Sequence, residues 1–169
     1  MRNPTEDPAS VNLRRAVADD AAALAVVFDA AVRQSWTYLG PIGEEPLFSA
    51  DDWDRLVAEH APPNILLVAE GGAGGTAQGF VAAHADDGEL FLLFVHPDSA
   101  GRGVGRRLLD AAHEALRAGG HRQAALYTHE QNARARAVYE VAGYRADGTH
   151  RDSEFRGVAY REIRMVKSL

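Results

Sequence analysis

Three glycines at alternate positions, Gly101, Gly103 and Gly105, follow an apolar run and precede a helical pattern. The run, residues 90–95, is six apolar residues long, which fits a central strand covered on both faces. Pro97 cannot donate to a ladder and biases His96 toward extended geometry, so the strand should end there. Val104, Leu108, Ala112 and Ala115 then recur at near-helical spacing and predict a helix over about 104–118. Strand, glycine turn and helix N-terminus together make an anion site. Glycine lets the backbone approach a ligand closely, and the N–H groups of the first helical turn point at it. The expected ligand therefore carries phosphate, held on residues 100–106. The plain alternative is a tight strand-to-helix turn. The spacing is not the dinucleotide fingerprint, because counting from Gly101 its third glycine falls on Arg106. Nor is it a P-loop, since the only lysine is Lys167.

A second constellation follows one helix and one strand later. Asn132 and Tyr139 are seven residues apart in a helical stretch. Seven residues advance about 700°, so both lie on one face, roughly 10 Å apart along the axis. Such a face can hold an amide-containing arm at one end and present a phenol at the other. Read singly, they are an N-cap Asn and a packing aromatic.

The elements that must position these residues read in order. Residues 1–10 are polar with two prolines, and a flexible tail is expected. A strand over 11–16 and a helix capped by Asp19 follow. The aromatic stretch 34–42, with Trp36 and Tyr38, reads as a helix end leading into a structured loop. Ser49 opens a second short helix with Asp51 and Asp52 in its first turn. Strands over 64–70 and 79–85 flank the glycine-rich loop 71–75, a hairpin rather than a ligand loop because no helix follows it. Gly119 and Gly120 close the helix that begins at 104. The strand over 123–128 follows that crossover helix and should run parallel to the central one. A helix over 132–142 ends at Gly143, and strands over 144–148 and 158–166 finish the chain.

Composition bounds the class. A chain of 169 residues with 46% hydrophobic and 25% charged residues is one domain of ordinary globular character, assigned to residues 11–169. No apolar run reaches the length of a membrane span, and 1–10 lack a signal-peptide core. The absence of cysteine excludes disulfides, cysteine–zinc sites and a cysteine nucleophile, and fits a cytoplasmic protein. A net charge of −6 argues against nucleic acid as the main partner.

Together the two constellations resemble the GCN5-related N-acetyltransferase (GNAT) superfamily. Its phosphate motif, Gln/Arg-x-x-Gly-x-Gly/Ala, overlays residues 100–105, with Ala100 in place of the usual Gln or Arg. Its next motif, Asn-x-x-Ala-x-x-x-Tyr followed by Gly-Phe/Tyr, is similar to Asn132, Ala135, Tyr139, Gly143 and Tyr144. The order of elements matches over about 11–167. The resemblance implies an α/β (α+β) GNAT fold: a mixed sheet of six to seven strands with about four helices, its central strands splayed around acetyl-CoA.

What the resemblance implies of the site follows. Acetyl-CoA is the co-substrate, with no metal. Its pyrophosphate sits on the N–H groups of Gly101, Arg102, Gly103, Val104, Gly105 and Arg106, with added charge from Arg106 or Arg107 if these are not simply a solvated face. Its pantetheine arm runs along Leu93, Phe94 and Val95, where a β-bulge parts the strands, with Asn132 contributing from the next helix. The Val95 N–H faces the thioester carbonyl. Tyr139 protonates the leaving thiolate, and Glu89, at the start of the central strand, deprotonates the amine. His84 and His129 are rival bases, whereas His96 is structural and His113 is assigned to a helix surface. With no cysteine, transfer is direct, in a ternary complex, to a primary amine of a small molecule or peptide. The acceptor site is drawn from 33–42, 84–88 and 148–157, with Trp36, Tyr38 and His84 as wall residues. Asp86, Asp87 and Glu89 favour a cationic amine. Dimers are common in the family, so a homodimer is compatible. The competing reading is a non-catalytic acyl-CoA-binding sensor or interaction module.

Overall fold

The computed structural model describes residues 11–71 and 74–169; the tail expected at 1–10 lies outside them. Among the described residues, seven strands and four α-helices follow one another along the chain. They are β1 (Asn12–Arg15), α1 (Ala21–Ser35), α2 (Ala50–Glu59), β2 (Ile65–Gly71), β3 (Thr76–Ala83), β4 (Leu90–Val95), α3 (Val104–Ala118), β5 (Gln123–His129), α4 (Ala133–Val141), β6 (Arg145–Phe155) and β7 (Val158–Ser168). The sheet expected as one is two. An antiparallel sheet runs β1-β2-β3-β4, and a second runs β5-β7-β6. One parallel bridge, Glu89 to Ala125, joins them, so the expected parallel pairing of β4 and β5 is met at a single point.

Local chemistry explains the ends of these elements. Ser49 and Asp52 cap α2 reciprocally: Ser49 Oγ accepts from the Asp52 N–H at 3.2 Å, and Asp52 Oδ2 from the Ser49 N–H at 3.0 Å. The cap of α1 falls one residue later than expected. Asp19 is exposed, and the buried Asp20 ends a 3₁₀ turn and begins the helix. Asp20 takes both Nη groups of Arg14 at 2.7 Å and the Val17 N–H at 2.7 Å. Arg14 also holds Glu70, so one guanidinium ties β1 to α1 and β2. Charge and hydrogen bonding, not the helix-start pattern alone, chose the aspartate. The last hairpin is longer than expected. β6 and β7 pair from Phe155 opposite Val158 outward, through a two-residue turn with both Arg156 and Gly157 at positive φ.

Two apolar clusters pack on opposite faces of β2–β4. α1 and α2 cover one face with Phe28, Trp53, Phe80, Leu92 and Phe94. α3 covers the other with Val104, Leu108, Leu109 and Leu116, and this cluster continues into β5 and β7 through Leu126 and Met165. β4 thus contributes to both clusters, as a central strand should. It is not fully covered, however: Phe91 is 42% exposed. His113 is not on a surface. It is buried, and its Nε2 meets the Tyr144 hydroxyl at 2.7 Å. Burial, with Lys167 and Arg117 nearby, pushes its imidazole down to about 4. Among the described residues no helix is long and apolar enough to cross a membrane.

Two acid-linked losses of stability follow. His113 stays neutral in the native state while the unfolded chain takes its proton near the ordinary value of 6.5. Stability therefore falls as pH drops from there toward about 4, and His113→Gln flattens that window. Asp20 is held below the usual carboxylate range, first by Arg14. Its contribution is present above about pH 4 and is lost at lower pH. At pH 7, Asp20→Ala should cost about 2 kcal/mol. Urea unfolding at stepped pH measures all three effects.

Candidate functional site

The glycine turn is a cradle. After β4, His96 Nδ1 accepts from the Asp98 N–H at 3.3 Å and fixes a short 3₁₀ turn, the structural role expected of it. Gly101 and Gly103 then stand at φ +77° and +80°, and Gly103 caps α3. A side chain at either would meet open space, so the requirement for glycine here is backbone conformation. The Ala100 N–H is used internally, on the Pro97 carbonyl at 3.1 Å. Among the described residues, the N–H groups of 101–106 have no acceptor in the protein. Six successive donors at the start of a 15-residue helix suit a diphosphate. Arg102, Arg106 and Arg107 are exposed around it, and Arg106 Nε lies 3.6 Å from Asp110.

Next to the cradle the two sheets part. His96 N–H donates to the Gln78 carbonyl at 2.8 Å. Bonded and non-bonded positions alternate in an antiparallel pair. The amides of Phe94 and Leu92 therefore turn toward β3, and those of Val95 and Leu93 turn away. On the other side, Glu130 N–H donates to the Arg161 carbonyl at 2.8 Å and Ala125 N–H to the Gly88 carbonyl at 3.2 Å. The same alternation directs the Tyr127 and His129 amides at β4. Past the Glu89–Ala125 bridge, two unpaired strand edges thus face each other across a gap. The bulge responsible sits earlier than expected. Ala82 pairs with Leu92 and Ala83 with Leu90, so the extra residue is Phe91, ahead of 93–95.

A cleft of about 1070 Å³ runs through this gap. Leu93, Asn132, Ala135 and Tyr139 line it on the α4 side, and Phe28, Trp36, Trp53 and Phe94 on the α1–α2 side. Tyr139 is buried without a hydrogen-bond partner for its hydroxyl among the described residues, and burial pushes its phenol up to about 12. Asn132 caps α4, its Oδ1 accepting from the Ala135 N–H at 3.0 Å, and still borders the cleft. Glu89 is half-buried on the wall; burial pushes its carboxyl up, and Arg151 pulls it partly back. His84 also lines the cleft, stacked on His60 and Phe91 at 5.2 and 5.1 Å between ring centres. His129 is enclosed between Trp36 and Tyr160, with ring centres at 4.3 and 4.0 Å, and burial pushes its imidazole down. Its Nδ1 meets the Tyr38 hydroxyl at 2.7 Å. Tyr38 thus positions His129 and is not itself among the residues bordering the cleft.

The acidic turn differs from expectation. Asp86 and Asp87 are exposed turn caps, accepting from the Asp87 and Glu89 N–H groups, and do not border the cleft. With His84 they bring ligand atoms within 4.8 Å of one another, but this cluster has no other mark of a metal site. The stretch 148–157, expected as an acceptor loop, lies mostly in the strand β6, and the β7 part of its wall lies outside the expected ranges. Arg151, Ser153 and Phe155 of β6 and Tyr160 and Glu162 of β7 all border the cleft. Their period of two on either side of Arg156-Gly157 was the available signal.

Comparisons with known proteins agree with this geometry. A family model described as the acetyltransferase (GNAT) family matches residues 29–144, more than half of the chain. A mycothiol acetyltransferase of Beutenbergia cavernae is 46% identical over 66 residues, which is 39% of this chain and 22% of that protein. One from Geodermatophilus obscurus is 33% identical over 120 residues, 69% of this chain and 33% of that protein. In these matches the chain spans only about a fifth to a third of the relatives' length. A GCN5-related N-acetyltransferase of Rhodopseudomonas palustris superposes with a TM-score of 0.71 at 27% identity, over 94% of this chain and 95% of that one. The PaiA N-acetyltransferase of Thermoplasma acidophilum, solved in complex with coenzyme A, has the same fold, with a TM-score of 0.70 at 22% identity over 95% of this chain and 99% of that one. With the glycine cradle, the parted strands and Tyr139 all inside the matched segment, the chain belongs to the GNAT acetyltransferase family.

Proposed function

We propose that the protein transfers the acetyl group of acetyl-CoA directly to a primary amine of a small molecule or peptide. One observation carries the reading: a gap between unpaired strand edges opens beside six unpaired N–H groups, with a spare phenol and a half-buried carboxylate on its walls. These groups fit acetyl-CoA. The diphosphate takes the N–H groups of 101–106, and the amides of the pantetheine arm pair with the edges of β4 and β5 as an added strand would. When bound, acetyl-CoA supplies an activated acyl group on sulfur.

The chain's own residues then have separate tasks. Glu89 accepts the amine proton, directly or through water; a carboxyl pushed up is a better base near neutrality than an ordinary one. The Val95 N–H, turned into the gap, donates to the carbonyl oxygen as negative charge grows there. The N–C bond forms, the C–S bond breaks, the leaving sulfur takes a proton from Tyr139, and the second proton shed by the acylated nitrogen restores the phenol. A phenol pushed up to about 12 stays protonated until that moment. A thiolate leaving in the same desolvated gap is pushed up as well, which brings donor and acceptor closer in strength. The products are the acetylated amine and the free thiol of CoA, and no covalent enzyme intermediate is needed.

Thiol release from acetyl-CoA over an amine panel tests this. Tyr139→Phe should lower kcat about 100-fold and change stability by less than about 0.5 kcal/mol, because its hydroxyl has no partner to lose. Tyr144→Phe is the control: it removes the bond to His113 and costs about 1–3 kcal/mol. In the wild type, activity rises with pH as Glu89 loses its proton, along a limb above the ordinary carboxylate value of 4.5; Glu89→Gln removes that limb. CoA binding without thiol release for any amine would instead leave a non-catalytic acyl-CoA sensor.

A further inference from the structure

Arg151 is held in a way that leaves half of its guanidinium unused. It stands on β6 directly opposite Glu162 of β7. Its Nε donates to Glu162 Oε2 at 2.6 Å, and Ser153 Oγ donates to the same oxygen at 3.1 Å. The guanidinium carbon lies 3.8 Å from the centre of the Tyr127 ring, which fixes the plane. Neither Nη has an acceptor among the described residues. The residue borders the cleft, as Glu89 does, and is near enough for its charge to act on that carboxyl. A guanidinium anchored through Nε and stacked on an aromatic ring presents its two Nη groups as a fixed fork. That fork matches the two oxygens of a carboxylate.

The charges around it point the same way. Glu89 would neighbour the acceptor's ammonium before it loses its proton, while Arg151, paired with Glu162 through Nε alone, keeps two Nη donors without an acceptor among the described residues. Glu162 meets Arg151 through Oε2 alone, the oxygen that also accepts from Ser153, and only at Nε, so both Nη groups are left for another anion. An acceptor with a second positive charge, such as a polyamine, meets a like charge at Arg151. A zwitterion places each charge on its complement. Resting on the acetyl-transfer reading above, we infer that Arg151 receives a carboxylate of the acceptor, which makes that acceptor an amino acid or a similar amino-carboxylate. On this inference the acceptor is a zwitterion, where the acids at 86–89 alone favour a cationic amine.

The experiment compares the common amino acids with their decarboxylated amines and their amides, on the full chain with acetyl-CoA. The expected result is that the best amino acid exceeds its own amine at least about 10-fold in kcat/KM, as a two-bond charged contact allows. In Arg151→Met that ratio falls toward one, through a raised KM for the amino acid. Arg151→Lys retains only part of it, since a point charge lacks the fork. A wild type that prefers the amine or the amide overturns the inference, as does an Arg151→Met variant that slows both substrates alike. Calorimetry of the same amino acids on the CoA-bound protein covers the case of no turnover. Binding that is lost in Arg151→Met then upholds the carboxylate receptor while the transfer reading fails. No binding by any amino acid sinks the inference itself.

Discussion

The Glu89–Ala125 bridge is the constraint on which the rest of the site depends. It holds β4 and β5 together at one end and lets them part at the other. Its hydrogen bond, Ala125 N–H to the Gly88 carbonyl, requires a glycine at its root. Gly88 has φ +72°, and a Cβ there would lie 2.9 Å from His121 Nδ1 and 3.0 Å from the Gln123 carbonyl oxygen. Two residues beyond the bridge, the bulge at Phe91 turns β4 away. β5 cannot follow, because its other edge is zipped to β7 from Gln123 to His129. Parting is therefore the outcome of two incompatible commitments, one on each strand.

The opening would be costly if nothing else joined the sheets. An unpaired amide in a dry site forfeits about 1–3 kcal/mol, and several face the gap. The α3 side compensates. Its apolar cluster takes residues from β2, β3 and β4 and also from β5 and β7, with Tyr139 and Tyr144 among them, so one core joins both sheets. The α1–α2 cluster draws almost wholly on the first sheet, reaching the last hairpin only through Phe155. One side of the molecule is thus a continuous core and the other an open chamber. The exposed edges are then a store of unsatisfied hydrogen bonding that a ligand with amides can satisfy.

This division also explains what was legible in the sequence. The cradle, the Asn132–Tyr139 pair and the central strand are local patterns, and the structure places each where its pattern implied. Distances set by tertiary packing were not legible. The narrow stripe Val104, Leu108, Ala112 and Ala115 leaves His113 on a surface. The helix serves two sheets, so its buried face is wider and takes in Leu109, His113 and Leu116. β6 shows only its first residues to a pattern search, because most of its residues are polar and exposed. An edge strand held mainly by its hairpin carries little apolar signal. The displacement of Asp19 by Asp20 is a difference between two adjacent acids that only the reach of Arg14 decides.

Charge shows the same limit in a sharper form. A net charge of −6 and three acids at 86–89 make the chain look built for cations. The fold spends two of those acids on its own backbone: Asp86 and Asp87 cap the turn that delivers Gly88 to the bridge. Glu89 alone reaches the cleft, and Arg151 comes to it from 62 positions further along the chain, carried on a different sheet. What the cleft recognises is therefore set by which side chains the two sheets bring face to face. Glu89 belongs to both levels at once. Its backbone is half of the bridge and its carboxylate borders the gap that the bridge creates, so any change that loosens the bridge also moves the base.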